Sequence, residues 1–507
     1  MKLNSKWLKL ATVLGLVLFM AAGGNHAQAF KSEEAKHIIL IIGDGMQLEH
    51  EIAASRYLYG RDGALAFHRF PYKGFVSTWD VTTYNRYAVA YGADPYSPES
   101  IDPYVGYDPA EGGFRPYPFQ KKHISDDYFL TKLGTPPKYP ATDSASAATA
   151  WATGFKVDDG NIAWLPGDPA DGALKTIAEL LREKKGRSIG VVSTVPFSHA
   201  TPAAHVSHNV SRNNYAAIAE EIILKVQPEV VIGGGLATSY MSSPLYNDLR
   251  AGNVPAYKFV ERKSGVDGAL AIRSGALAAV AEGKKLFGLF GGPGGNFESP
   301  VPADDGFSTV ERATIENPLL KDAALAAITV LSQNRKGFFL MIEQGDIDWA
   351  NHANDYKRMI GTMWDLEECV RSVVDFVNQP GDGLTWHNTL VIVTADHGNS
   401  YMRLNNDKKL GAGDLPEQNG ASYPGGEVTY ASTEHTNELV TLYAMGNGSF
   451  RRIFHDFEGS WYARTRIIDN TQLFHIMMEA SGCPVETQLS LIESMGAPAE
   501  LSMEERN

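Results

Sequence analysis

The chain reads as an α/β protein: a large, mostly parallel central sheet with helices on both faces and irregular insertions at its rim. Three observations predict this. Short, continuously apolar β-branched runs recur along the chain, amphipathic segments of helical period lie between them, and acids and histidines fall just where the runs stop. Strands apolar on both faces belong to a sheet covered on both sides, as parallel sheets are.

In chain order the strand candidates are HIILIIGD (37–44), RSIGVVST (187–194), EVVIGGG (229–235), KKLFGLFG (284–291), FFLMIEQGD (338–346) and LVIVTADHG (390–398). Helices are expected at 171–185, 212–226, 319–333 and 353–378. In the last of these, Met359, Met363, Leu366, Val370, Val373 and Val377 form one stripe, with Cys369 beside it. The only other cysteine is Cys483, so a buried thiol is favoured over a disulfide framework. Three stretches break the alternation: 82–140, 236–282 and 403–432, read as rim insertions that shape an entrance or a subunit contact.

Residues 1–29 have the order of a secretory signal peptide. Lys2, Lys6 and Lys9 give a basic start, residues 10–22 are largely apolar, and Ala27 and Ala29 frame a cleavage site after Ala29. The apolar run is too short to span a bilayer, so the expectation is a periplasmic or secreted protein with no membrane anchor after processing. The remainder, 30–507, reads as one catalytic domain. The formal net charge of −14 argues against a nucleic-acid partner, which calls for basic patches.

The chemistry-bearing residues cluster at strand ends. Asp44 closes the first strand, His199 and Thr201 follow the second, and Glu343, Asp348 and His352 end or follow the fifth. Asp396 and His397 close the sixth. In open α/β sheets the ligand crevice lies outside the carboxyl ends of the strands. Histidine with carboxylate suits zinc, and carboxylate with hydroxyl suits magnesium. Each element alone has a plainer reading: Asp348/His352 as a surface i,i+4 pair, DHG as a turn, His435 as a solvated loop residue. His205 and His208 are read as non-ligands, with His208 a candidate support for a ligand. The alanine-rich stretch ATDSASAATAWATG (141–154) reads as a loop entering a helix, whose free N–H groups suit an anion. Its four hydroxyls could equally do no more than cap and pack.

Five blocks, in order, carry a resemblance to a known family: IIGDGM (41–46), TDSASAATAWATG (142–154), HATPAAHVSHNVSR (199–212), EQGDIDWANH (343–352) with TADHG (394–398), and TEHT (433–436). Together they resemble the metal-dependent alkaline phosphatases. That resemblance implies a phosphomonoester hydrolase working through a phosphoserine at Ser144, with two Zn2+ and one Mg2+ per chain, small-molecule phosphomonoester substrates and a homodimer. It implies one zinc on Asp44, Asp396 and His397, the second on Asp348, His352 and His435, and magnesium at His199, Thr201 and Glu343 with Asp44. Arg212 matches the phosphate clamp, its planar fork able to hold two phosphate oxygens. The chain has His199 and Trp349 where one well-known form of the pattern has Asp and Lys. Imidazole is the softer ligand, so the magnesium site's metal preference is open. Trp349, on the substrate side, removes a cation near the phosphate.

Two alternatives remain at this stage. A phosphodiesterase of the same superfamily usually has Thr as nucleophile, and a non-catalytic exported metal- or phosphate-binding protein needs no serine beside Arg212. GGPGGNF (291–297) lacks the Lys-Ser/Thr of a phosphate-cradling loop.

Overall fold

The computed structural model describes residues 34–90, 92–97, 101–102, 106–107, 141–235, 239–381 and 383–485. Residues 1–29 and most of the 82–140 stretch lie outside these; the start of that stretch, expected to be irregular, belongs to a helix, Val81–Ala90. The sheet has ten strands: β1 His37–Gly43, β2 Tyr72–Ser77, β3 Ser188–Pro196, β4 Val230–Gly234, β5 Tyr257–Glu261, β6 Lys285–Leu289, β7 Phe338–Gln344, β8 Thr389–Thr394, β9 Val440–Met445 and β10 Ile467–Asp469. Their spatial order is β10-β2-β9-β8-β1-β7-β3-β4-β6-β5. Every neighbouring pair is parallel except the two that involve β9, which runs antiparallel to β8 and to β2.

Burial follows sheet position. Every residue of β1, β3, β7 and β8 is buried, as expected for central strands covered on both faces. The edge strand β5 is mostly half-buried. Eight helices matter here: α1 Leu48–Tyr59, α2 Ser144–Thr153, α3 Ala200–Val206, α4 Gly268–Glu282, α5 Leu320–Leu331, α6 Asp346–His352, α7 Tyr356–Asn378 and α8 Asn470–Ala480. Helix α7 starts where the Asp355 carboxylate accepts from the Arg358 N–H at 3.0 Å, and its apolar stripe from Met359 to Val377 is buried. Leu366 is fully buried there, so a Leu366→Asp change would strand a charge in the core at a cost of several kcal/mol. Cys369 and Cys483 are both buried, free thiols. No helix among the described residues is long and apolar enough to cross a membrane.

The expectation of irregular chain at 236–282 is corrected. That stretch contains a helix, Ser243–Ala251, then β5 and then α4. It extends the main sheet by its last strand. The period was hidden because β5 is half-exposed and because α4, rich in Ala and Gly, has little contrast between its faces. The 403–432 stretch is largely without regular structure, pinned at its ends where Met402–Leu404 pairs with Val428–Tyr430.

Candidate active site

The site forms at the carboxyl ends of β1, β3, β7 and β8, which are neighbours in the sheet. Asp44 leaves β1 with its N–H on the Gln344 carbonyl at 3.1 Å. Asp396 leaves β8, and its Oδ1 accepts from the Gly45 and His397 N–H groups, each at 2.9 Å. Asp44, Asp396 and His397 each offer one ligand atom, all within 4.8 Å of one another, and all three are buried. His397 Nε2 is 3.1 Å from Asp396 Oδ2 and 3.5 Å from Asp44 Oδ1.

A second group is equally close. Asp348 and His352 lie one turn apart on α6, and His435 arrives from the short strand His435–Thr436, paired with Gly398–Asn399. His352 Nδ1 meets the Thr433 carbonyl at 2.6 Å and His435 Nδ1 meets the Thr142 carbonyl at 3.0 Å. Each Nδ1 therefore donates, so in a neutral ring Nε2 carries the lone pair; the two Nε2 atoms lie 3.2 and 3.4 Å from the Asp348 oxygens, donors that a shared cation or proton would bridge. The two groups touch: the His397 and His435 rings stack 3.5 Å apart at 22°. Asn399 Nδ2 donates to Asp348 Oδ1 at 2.5 Å and steadies that carboxylate.

These donors fit cations. Asp44, Asp396 and Glu343 are buried together, and both Asp44 oxygens, Glu343 Oε1 and Thr201 Oγ1 lack a well-formed hydrogen bond among the described residues. Burial, then the carboxylates of Asp396, Asp348 and Glu343, push the Asp44 carboxyl well above its ordinary range. Such crowding of buried negative charge is what a bound divalent ion relieves. Glu343 is aimed by Ser193, whose Oγ donates to its Oε2 at 2.5 Å.

Ser144 opens α2. The helix is capped by Asp143, whose Oδ1 accepts the Ser146 N–H at 2.9 Å. Its alanines are buried, which lets α2 pack closely against α3 and α8. Ser144 Oγ lies 3.3 Å from His397 Nε2. The neighbouring hydroxyls are otherwise engaged: Ser146 Oγ with Thr142 Oγ1 at 2.9 Å and Asp143 Oδ1 at 2.8 Å, Thr149 Oγ1 with the Asn161 carbonyl at 3.1 Å.

Arg212 faces this helix start. Its Nη1 donates to Asp143 Oδ2 at 2.7 Å and its Nη2 to His199 Nε2 at 3.3 Å. Burial opposes ionisation of Asp143, but Arg212 and the Ser146 N–H outweigh it and hold the carboxyl below its usual range. Burial, then Arg212, push His199 down to about 3, so it is a neutral acceptor. His199 thus meets Arg212 with one nitrogen, and its ring lies 6.1 Å from that of Trp349.

Some expected and unexpected placements stand out. His199, Thr201 and Glu343 are not among the close groups of acids and histidines, although Glu343 Oε1, Thr201 Oγ1 and His199 Nδ1 are buried without a well-formed hydrogen bond. His205 is bonded to the Thr201 carbonyl at 2.9 Å. His208 sits on Glu221 at 2.9 Å and Glu179 at 3.3 Å, a scaffold contact that supports no ligand. Asp143, Asn399 and Ser193 were not foreseen as site residues.

Comparison with known proteins agrees with this geometry. The sequence pattern of the alkaline phosphatase family matches residues 119–421. Alkaline phosphatase 4 of Bacillus subtilis is 34% identical over 268 residues, 52% of this chain and 50% of that protein. Alkaline phosphatase of Escherichia coli strain K12 is 28% identical over 90% of this chain and 88% of its own. Among solved structures, the Thermus thermophilus alkaline phosphatase superposes with a TM-score of 0.57 at 19% identity, covering 94% of this chain and 99% of that one. The alkaline phosphatase from the Antarctic bacterium TAB5 gives 0.54 at 20%, covering 90% and 100%. With a family pattern across most of its length and two carboxylate–histidine groups at the sheet's carboxyl edge, this chain belongs to the alkaline phosphatase family and is a hydrolase of that kind.

Proposed function

We propose that the chain is an exported phosphomonoester hydrolase that passes the phosphoryl group through Ser144, with two zinc ions and one magnesium ion as cofactors. The observation that carries this reading is the contact of Ser144 Oγ with His397, a member of one ligand group stacked on His435 of the other. The basic, apolar, small-residue order of residues 1–29 supports export.

Asp44, Asp396 and His397 would hold one zinc, Asp348, His352 and His435 the other, and His199, Thr201 and Glu343 with Asp44 the magnesium. Bound there, the zinc ions would lower the pKa of a serine hydroxyl and neutralise the leaving oxygen. Ser144 Oγ attacks phosphorus, the P–O ester bond breaks, and the alcohol departs. Water then cleaves the Ser144 phosphate, releasing inorganic phosphate and restoring the hydroxyl. Arg212, held by Asp143 and His199, keeps N–H groups to spare for two phosphoryl oxygens. The free N–H groups at the start of α2 add positive potential at the same place.

Acid quenching during turnover of 4-nitrophenyl phosphate should trap phosphate on Ser144, located by mass spectrometry. Full turnover by Ser144→Ala would sink the nucleophile assignment. Faster cleavage of bis(4-nitrophenyl) phosphate than of the monoester would shift the reading to a phosphodiesterase.

A further inference from the structure

Beside the arginine clamp stands a row of aromatic rings. His199, bonded to Arg212, lies nearly parallel to Tyr215, with ring centroids 6.2 Å apart at 10°. Trp349 meets the His199 ring edge-on at 6.1 Å. Tyr240 meets Tyr215 edge-on at 5.1 Å and 70°. All four are half-buried, and the Tyr215 hydroxyl lies within electrostatic reach of Arg212.

The row is carried by separate elements. His199 stands at the residue before α3, Trp349 rides on α6, and Tyr215 opens the helix Tyr215–Glu220, which continues as a π-helical turn, Glu221–Val226, of a kind frequent at functional sites. Tyr240 is wedged between two loops at strand ends. Gly235 and Gly295 have φ of 101° and 87°, and the Gly235 N–H donates to the Gly295 carbonyl at 2.6 Å. A Cβ on Gly295 would come 2.6 Å from Tyr240 Cε2, and one on Gly235 3.3 Å from Tyr240 Cβ. The Ser198 hydroxyl donates to the Tyr240 carbonyl at 2.7 Å. The GGPGGNF loop thus makes room for a tyrosine ring.

A phosphate oriented by Arg212 projects its ester group away from Ser144, and an aromatic row touching the clamp offers that group flat, polarisable, partly exposed faces. We propose that Tyr215, Tyr240 and Trp349 form a subsite for the alcohol half of the substrate, selecting phosphomonoesters whose alcohol carries a planar aromatic ring. The inference rests on the phosphomonoesterase reading.

Two substrate pairs with matched leaving oxygens test it: adenosine 5′-monophosphate against ribose 5-phosphate, and benzyl phosphate against cyclohexylmethyl phosphate. Tyr215→Leu and Tyr240→Leu should lower the ring-bearing to ring-free ratio of kcat/KM by about tenfold in one pair or both. Tyr215→Phe should restore the ratio. A loss in the nucleotide pair assigns the subsite to a nucleobase, and a loss in the benzyl pair assigns it to a ring next to the ester carbon. An unchanged ratio in both pairs overturns the subsite and leaves the hydrolase intact. Wild-type protein that cleaves none of the four overturns the phosphomonoesterase reading itself.

Discussion

His352 and His435 face each other Nε2 to Nε2 at 3.2 Å, while each Nδ1 is committed to a main-chain carbonyl. Two lone pairs at that distance repel unless a cation or a proton lies between them. The protein should therefore bind divalent metal tightly, and chelation should lower its unfolding temperature. At a thousandfold excess of metal over Kd the stabilisation is about 4 kcal/mol. His435→Ala should remove one metal equivalent by elemental analysis and leave the Asp44/Asp396/His397 site loaded; an unchanged metal content would refute the assignment.

Ser144 and Ser146 are two residues apart on one helix, and their replacement should have opposite consequences. Ser144→Ala is expected to cut turnover by ~10³-fold or more with metal content unchanged. Ser146→Ala removes contacts with Thr142, Asp143 and Asp80, so it should lower stability by about 1–2 kcal/mol and touch chemistry far less. Steady-state kinetics beside thermal unfolding of both variants separates the two roles. A catalytic collapse in Ser146→Ala would contradict it.

Trp349 stands next to His199, where a lysine would place a cation near bound phosphate. Trp349→Lys should tighten inhibition by inorganic phosphate about tenfold, the scale of one added charge at a few ångströms in a partly screened site. Unchanged or weaker inhibition would count against Trp349 facing the phosphate.

His208 gives a pH prediction free of the metal ligands. Burial lowers its pKa, but Glu179 and Glu221 outweigh that and raise it from 6.5 to about 9. A folded-state pKa above the unfolded one means stability fully present below pH 6.5 and lost as pH rises towards 9. The loss is about 3 kcal/mol at most. Unfolding midpoints measured from pH 6 to 9.5 should fall across this window, and in His208→Gln that part of the slope should flatten.

The central strands were legible because both faces of each are apolar, so β1, β3, β7 and β8 show as unbroken runs. β2 alternates exposed and buried residues, β10 is three residues long, and both were missed; β9 was missed too, although all but its last residue are buried. The ligands announced themselves as acids and histidines at strand ends. Their supports did not. Asp143 reaches Arg212 across 69 positions, and Ser193 reaches Glu343 across 150. Nothing in the local pattern of a serine or an aspartate says which distant side chain it will aim; that is decided by which strands become neighbours.

The reversal of β9 has a consequence for how the site is assembled. All other strands deliver their last residues to the reactive edge, whereas β9 presents its beginning there, so the Thr433–Thr436 segment ahead of it swings His435 into place. The second ligand group is thus complete only where β9 lies between β8 and β2. An ion held by His435 would tie the placement of that one reversed strand to the loading of the site.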